Sequence, residues 1–164
     1  MSHLPPQGGA PDIAENHRAV TAGFHKFVNT CGLELHGDLS EVYVYSEKYR
    51  YAGAMDAIGW RQKPDGTRAF VALDWKTSKA TRSEYALQLA AYARAFEELQ
   101  GVKVAEAWVV RFEKTRPQFE IKKVLDIDRS FNTFLSALQL WRFFNTVTPV
   151  WDSTAHGAGG ASKK

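Results

Sequence analysis

The run Phe70-Val71-Ala72-Leu73, closed by Asp74-Trp75-Lys76, constrains this chain more than any other stretch. Four apolar residues in succession suit a buried strand. Successive side chains of a strand point to opposite faces, so Asp74 and Lys76 share one face and Trp75 takes the other. A carboxylate and an ammonium at the end of an apolar strand are costly unless they are paired or used. A second carboxylate, Asp56, lies near the end of a preceding strand read from Tyr49 to Ile58. Between the two, Lys63-Pro64-Asp65-Gly66 is a turn signal that sends the chain back. Antiparallel pairing would then bring Asp56 to Asp74. Two converging carboxylates beside a lysine suit Mg²⁺ or Mn²⁺ better than zinc, because hard cations take oxygen ligands.

The rest of the chain supplies a frame for that strand. At 164 residues it is of single-domain size. Residues 1–11, with Pro5, Pro6, Gly8 and Gly9, read as a flexible leader, residues 12–145 as the folded domain and residues 146–164 as a disordered tail. Ile13, His17, Val20, Phe24, Phe27 and Cys31 recur at steps of four and three, one face of an amphipathic helix, and Gly32 stops it. His17 falls on the apolar face, either as a half-buried core histidine or as a metal ligand; His25 lies off it. Glu41–Tyr45 alternates as a strand, with Val42 and Val44 on one face. Thr81 and Glu84 read as a capping box for a helix that ends near Gly101. Its apolar stripe is Tyr85, Leu89, Tyr92, Phe96 and Leu99, and Gln88 neighbours Tyr92 on one helical face. Val104–Phe112 reads as a buried strand, Gln118–Val124 as an edge strand, and Asp128 as the cap of a last helix. Helix, three strands, helix, one or two strands and helix make a mixed α/β domain with a central sheet flanked by helices.

Composition excludes several classes. A single cysteine, Cys31, rules out a disulfide framework and a cysteine-rich metal site. No apolar run approaches the ~20 residues of a membrane span. The leader is neither an apolar signal core nor an Arg-rich transit helix. An intracellular protein is expected, in cytoplasm or nucleoid, or in an organellar matrix after loss of a presequence. The net charge of +3 and pI near 9.0 permit nucleic-acid binding without demanding it.

Gly53-x-x-Asp56, then Asp74-x-Lys76 followed by Thr77 and Ser78, then Gln88-x-x-x-Tyr92, resembles the PD-(D/E)XK nuclease superfamily. The likeness runs from about Glu41 to Tyr92. It is nearest the RecB-type branch, with its helicase-associated nucleases, phage recombination exonucleases and the mitochondrial genome maintenance exonuclease. Asp-x-Lys alone is a weak signal; the ordered set at these spacings is strong. The resemblance implies a restriction-endonuclease-like αβββαβ core. It implies that Asp56 and Asp74 are metal ligands, joined by the main-chain carbonyl of Trp75 and, as a secondary ligand, Glu41. Lys76 would orient or activate water, with Gln88 beside it, and Lys79, Arg82 and Tyr92 would meet the nucleic acid. The family's upstream histidine segment would lie ahead of the first helix and is not recognised there, which leaves a third ligand open. The four-cysteine iron–sulfur cluster of some RecB-type members has no counterpart.

The activity implied is metal-dependent hydrolysis of DNA phosphodiester bonds, as an exonuclease on ends or single strands in recombination, repair or replication. One or two Mg²⁺ or Mn²⁺ ions would serve it, with a helicase or recombination protein as partner. The alternative is a nucleic-acid-binding module of the same fold that is non-catalytic or depends on a partner. Arg61, Lys63, Arg68, Arg111, Lys114 and Arg116 together would neutralise a strand's phosphates. Tyr43, Tyr45 and Tyr49 would offer stacking faces to unpaired bases.

Overall fold

The computed structural model describes residues 13–35 and 41–146. The leader (1–11) and nearly all of the tail (146–164) expected from the sequence lie outside those residues. Ten elements follow in order: α1 (Ile13–Thr30), β1 (Glu34–Leu35), β2 (Val42–Ser46), β3 (Tyr51–Met55), β4 (Ala57–Gln62), β5 (Arg68–Lys76), α2 (Ser83–Gln100), β6 (Val104–Phe112), β7 (Phe119–Lys123) and α3 (Ile127–Asn145).

A five-stranded sheet runs β1-β4-β5-β6-β7, and β2 with β3 forms a separate two-stranded sheet. The β5–β6 pair is parallel and the other pairs are antiparallel, so the sheet is mixed. The apolar run of β5 occupies the middle, and Ala69 and residues 71–74 are buried. Alternation along the strands divides the core. Val71 and Leu73, with Trp108, Val110 and Phe112 of β6, pack against Phe24, Phe27 and Val28 of α1. Ala72, with Ala107 and Val109, packs against Leu89, Ala93 and Ala95 of α2. Helix α3 lies on the far side of α2, with Phe131 against Ala90 and Ala91. α2 is thus buried on two sides, and its alanines let sheet and helix approach it while costing no helix propensity.

Four local readings are corrected. The strand read from Tyr49 to Ile58 is two strands, bent at Asp56, and they belong to different sheets. A two-residue strand, Glu34–Leu35, pairs with β4; it is too short to leave a periodic signal. Helix α2 begins one residue later than a Thr81 cap implies: Arg82 is its N-cap, without a side-chain cap bond, and the Thr81 hydroxyl is buried without a partner. Asp126, not Asp128, caps α3 by accepting from the Arg129 N–H at 2.9 Å. Asp128 instead pairs with Arg94 of α2, so the residue that looks like a cap ties two helices. Gly32 and Gly101 hold positive φ just past α1 and α2, as helix stops.

Candidate active site

The site forms where β3 becomes β4, beside the end of β5. The β4–β5 ladder runs to Ala57 opposite Leu73, which leaves Asp56 at the bend facing the last residues of β5. The Trp75 N–H donates to Asp56 Oδ2 at 2.6 Å, fixing one carboxylate to the backbone of the other's strand. The indole of Trp75 goes the opposite way, edge-on to Phe24 and Phe27. Strand alternation thus places Asp74 and Lys76 together on the α2 face.

Asp74 is 7% exposed, one of two buried polar residues among those described. Lys76 Nζ lies 2.5 Å from Asp74 Oδ2, an ion pair by distance. That oxygen is shielded from solvent, and the Lys76 ammonium is the cation that meets it. Burial pushes the Asp74 carboxyl above the usual carboxylate range; Lys76 opposes the shift, and the neighbouring Asp56 carboxylate adds to it. A buried carboxylate beside a second one costs on the order of several kcal/mol unless something compensates it. Lys76 supplies one positive charge, and its ammonium also sits 5.0 Å from the centre of the Tyr85 ring.

The buried Asp74 carboxylate, with a second carboxylate beside it and one lysine to oppose them, is the observation that tests for a cation. Two carboxylates and a main-chain carbonyl are an all-oxygen donor set, which suits Mg²⁺ or Mn²⁺, ions that complete their shells with water. Among the described residues no cluster of three or more histidine, cysteine, aspartate or glutamate side chains is placed to share an ion. Glu41 therefore does not join the pair as a third member. It lies one residue before β2, exposed, and accepts from the Tyr43 hydroxyl at 2.8 Å. His17 is exposed rather than half-buried, and it lines a cavity with Thr77 and Lys114 instead of entering the core.

Gln88 and Tyr92 meet as the helical spacing requires. Gln88 Nε2 donates to the Tyr92 hydroxyl at 2.8 Å. Both line a cavity of about 460 Å³ with Tyr51, Tyr85 and Phe134. The Tyr92 ring lies over Gly53 so closely that a Cβ there would stand 2.2 Å from Cε1. Tyr85, read from the sequence only as part of the apolar stripe, links Lys76 to this cavity. Its signal was the spacing Tyr85, Gln88, Tyr92, three residues on one helical face. Lys79 and Arg82 do not share a surface. Lys79 lines a groove with Lys114 and Arg116, whereas Arg82 lines another with Lys122 and Lys123. Of the other cations, Arg61 pairs with Glu106 and Arg68 stacks on Trp60, 4.0 Å from the ring centre. Tyr43 and Tyr45 are exposed, while Tyr49 packs edge-on against Phe131.

A mixed sheet flanked by helices, with two carboxylates and a lysine at the end of its central strand, defines a class of phosphodiester-directed α/β domains. The chain belongs to the PD-(D/E)XK nuclease superfamily, whose family model matches residues 11–150, and its architecture is restriction-endonuclease-like. It is 34% identical over 93 residues to an ATP-dependent helicase/nuclease subunit of Carboxydothermus hydrogenoformans, a match covering 52% of this chain and 8% of that protein. That likeness is consistent with the RecB-type branch, and the match spans only a small part of the relative's length. The crystal structure of SSO0001 superposes with a TM-score of 0.43 and 13% identity, over 80% of this chain and 61% of that one.

Proposed function

We propose that the chain is a Mg²⁺- or Mn²⁺-dependent deoxyribonuclease that acts as an exonuclease on DNA ends or single strands, in recombination, repair or replication. The observation that carries this reading is the Asp56–Asp74 pair beside Lys76, two neighbouring carboxylates, one of them buried, with a single ammonium to balance their charge. A structural ion pair does not account for it, because a buried carboxylate pair weakens the fold unless it is used.

Asp56, Asp74 and the Trp75 carbonyl would hold the ion. When bound, it lowers the pKa of a water and neutralises charge developing on the phosphoryl oxygens. The chain's own groups do the rest. The Trp75 N–H holds Asp56 in place. Lys76, held by Asp74 and the Tyr85 face, would set an ammonium beside the attacking water and the negative charge that builds around the pentacoordinate phosphorus. The Gln88–Tyr92 pair lines the adjoining cavity and would position the nucleotide. Lys79 and Arg82 would bind phosphates from two sides, and Glu41 would serve as a secondary ligand on releasing Tyr43.

End-labelled single- and double-stranded DNA, incubated with Mg²⁺, Mn²⁺ or EDTA, tests this. Cleavage is expected with metal, with a ladder that shows exonucleolytic shortening. Lys76→Ala should reduce the rate about 10²–10³-fold, the range for removal of a transition-state charge stabiliser, and Asp74→Ala should abolish cleavage. A second reading, a nuclease domain that works only with a helicase, is favoured by the match to 8% of a much longer helicase/nuclease protein. If no metal supports cleavage by the isolated chain while salt-sensitive DNA binding persists, that reading, or a non-catalytic binding module, replaces the first.

A further inference from the structure

Two cavities of about 430 and 440 Å³ adjoin at Asn16, Thr77 and Lys114. One is walled by the first turns of α1, at Asn16, His17 and Val20. The other is walled by the β5–α2 loop at Thr77–Lys79 and by the β6–β7 turn at Arg111–Arg116. Together they make an elongated groove whose shared wall, Thr77, is the residue after Lys76.

The charge of this groove is one-sided. Lys79, Arg111, Lys114 and Arg116 line it, against the single carboxylate of Glu113. Arg116 is matched by Glu113 at 2.9 Å and Arg111 by Glu120 at 3.1 Å. Lys79 and Lys114, both exposed, have no ion pair among the described residues. Two unneutralised ammoniums therefore line a groove whose other charges, Arg111, Arg116 and Glu113, are ion-paired. Phe112 is buried in the α1 core, so the exposed ring of the groove is the His17 imidazole. Unpaired cations on a groove with a single exposed ring suit a repeating anion read along its backbone.

We propose that this groove, between the start of α1 and the β6–β7 turn, binds the sugar-phosphate backbone of a nucleic-acid strand beyond the scissile phosphate, with Lys79 and Lys114 as the phosphate contacts. The proposal rests on the nuclease reading for the placing of the scissile phosphate at Lys76, and on the groove itself for the binding. The contact is independent of sequence. It extends the footprint to the α1 side of the sheet, away from the aromatic cavity of α2.

The test is binding of fluorescent dT and rU 20-mers in EDTA across a salt series, for the wild type, Lys79→Ala/Lys114→Ala, and Lys103→Ala as a surface-charge control. Each phosphate contact contributes about 0.7 to the log–log salt slope on a single strand. The double variant should therefore lose about 1.4 from the slope, and the control nothing. Circular dichroism should show both variants folded, since the altered side chains are exposed. An unchanged slope in the folded double variant overturns the groove, whether or not the wild type cleaves. A wild type that binds neither oligonucleotide at low salt also overturns it and turns attention to an acidic protein. Loss of slope in a protein that cleaves nothing under any metal supports the groove while the nuclease reading fails. A loss with dT alone, or with rU alone, supports it and names the sugar.

Discussion

Asp74 and Gly53 show how much each residue depends on a partner distant in sequence. The sequence places Asp74 beside Lys76, but the buried carboxylate pair arises only when the bend into β4 delivers Asp56 and the sheet closes over the site. In the sequence Gly53 is the first residue of Gly53-x-x-Asp56. In the fold it receives the ring of Tyr92, from a helix that begins thirty residues later. A methyl group at Gly53 cannot coexist with that ring, so Gly53→Ala must move Tyr92 or the strand. Overpacking of this kind costs about 1–3 kcal/mol. Gly53→Ala should therefore lower the urea midpoint with an unchanged m value, and Gly53→Ala/Tyr92→Ala should recover part of the loss. Equal destabilisation of single and double variants would show that Tyr92 is not the obstacle. The two lysines of the basic groove, Lys79 and Lys114, were each legible as phosphate contacts, and nothing in their spacing says that they line one groove.

Among the elements, α2 organises the molecule. It follows the central strand, buries alanines on two sides, and carries Tyr85, Gln88 and Tyr92 toward the site. Its last turn also holds the small sheet. Glu98 Oε2 accepts from the Ser46 hydroxyl at 2.6 Å, and Oε1 accepts from the Glu47 and Lys48 N–H groups at 2.9 and 3.2 Å. The Ser46 hydroxyl, then the two turn amides, hold the Glu98 carboxyl below its ordinary value of 4.5. A carboxyl whose pKa is lowered on folding stabilises the fold above its unfolded value, and that contribution is lost as pH falls through the folded one. Glu98→Gln should thus melt below the wild type at neutral pH, with the gap closing as the pH is taken below the ordinary glutamate range. A gap that stays constant with pH would mean that the clamp acts through shape alone. The strands of this clamp were legible from alternation, Val42 and Val44 inward against exposed Tyr43 and Tyr45. Their sheet was not, because the bend at Asp56 that separates them from the main sheet carries no proline or turn dipeptide to mark it.

The whole molecule is a three-layer arrangement in which α1, the five-stranded sheet and α2 with α3 enclose one carboxylate pair at the end of the central strand. Because folding creates the donor set, an ion that binds it stabilises the folded state by mass action. At a hundredfold excess over Kd the gain is about 2.7 kcal/mol, which for a chain of this size raises the melting temperature by roughly 5–10 °C. Mg²⁺ or Mn²⁺ should produce that rise in the wild type, growing with the logarithm of ion concentration above Kd, and Asp74→Ala should abolish it; an undiminished rise in the variant would remove Asp74 from the site. The sequence by itself determined the element types, because period-2 and period-3.6 patterns register which faces are apolar. It also determined the motif residues, because Asp56, Asp74, Lys76, Gln88 and Tyr92 stand at spacings set by single strands and helices. The tertiary structure alone decided which sheet each strand joins, that Tyr92 fills the space over Gly53, that Asp128 ties α3 to α2, and that cations from two separate segments border one groove. Those outcomes depend on packing between segments far apart in the chain, and local periodicity carries no information about distance through space.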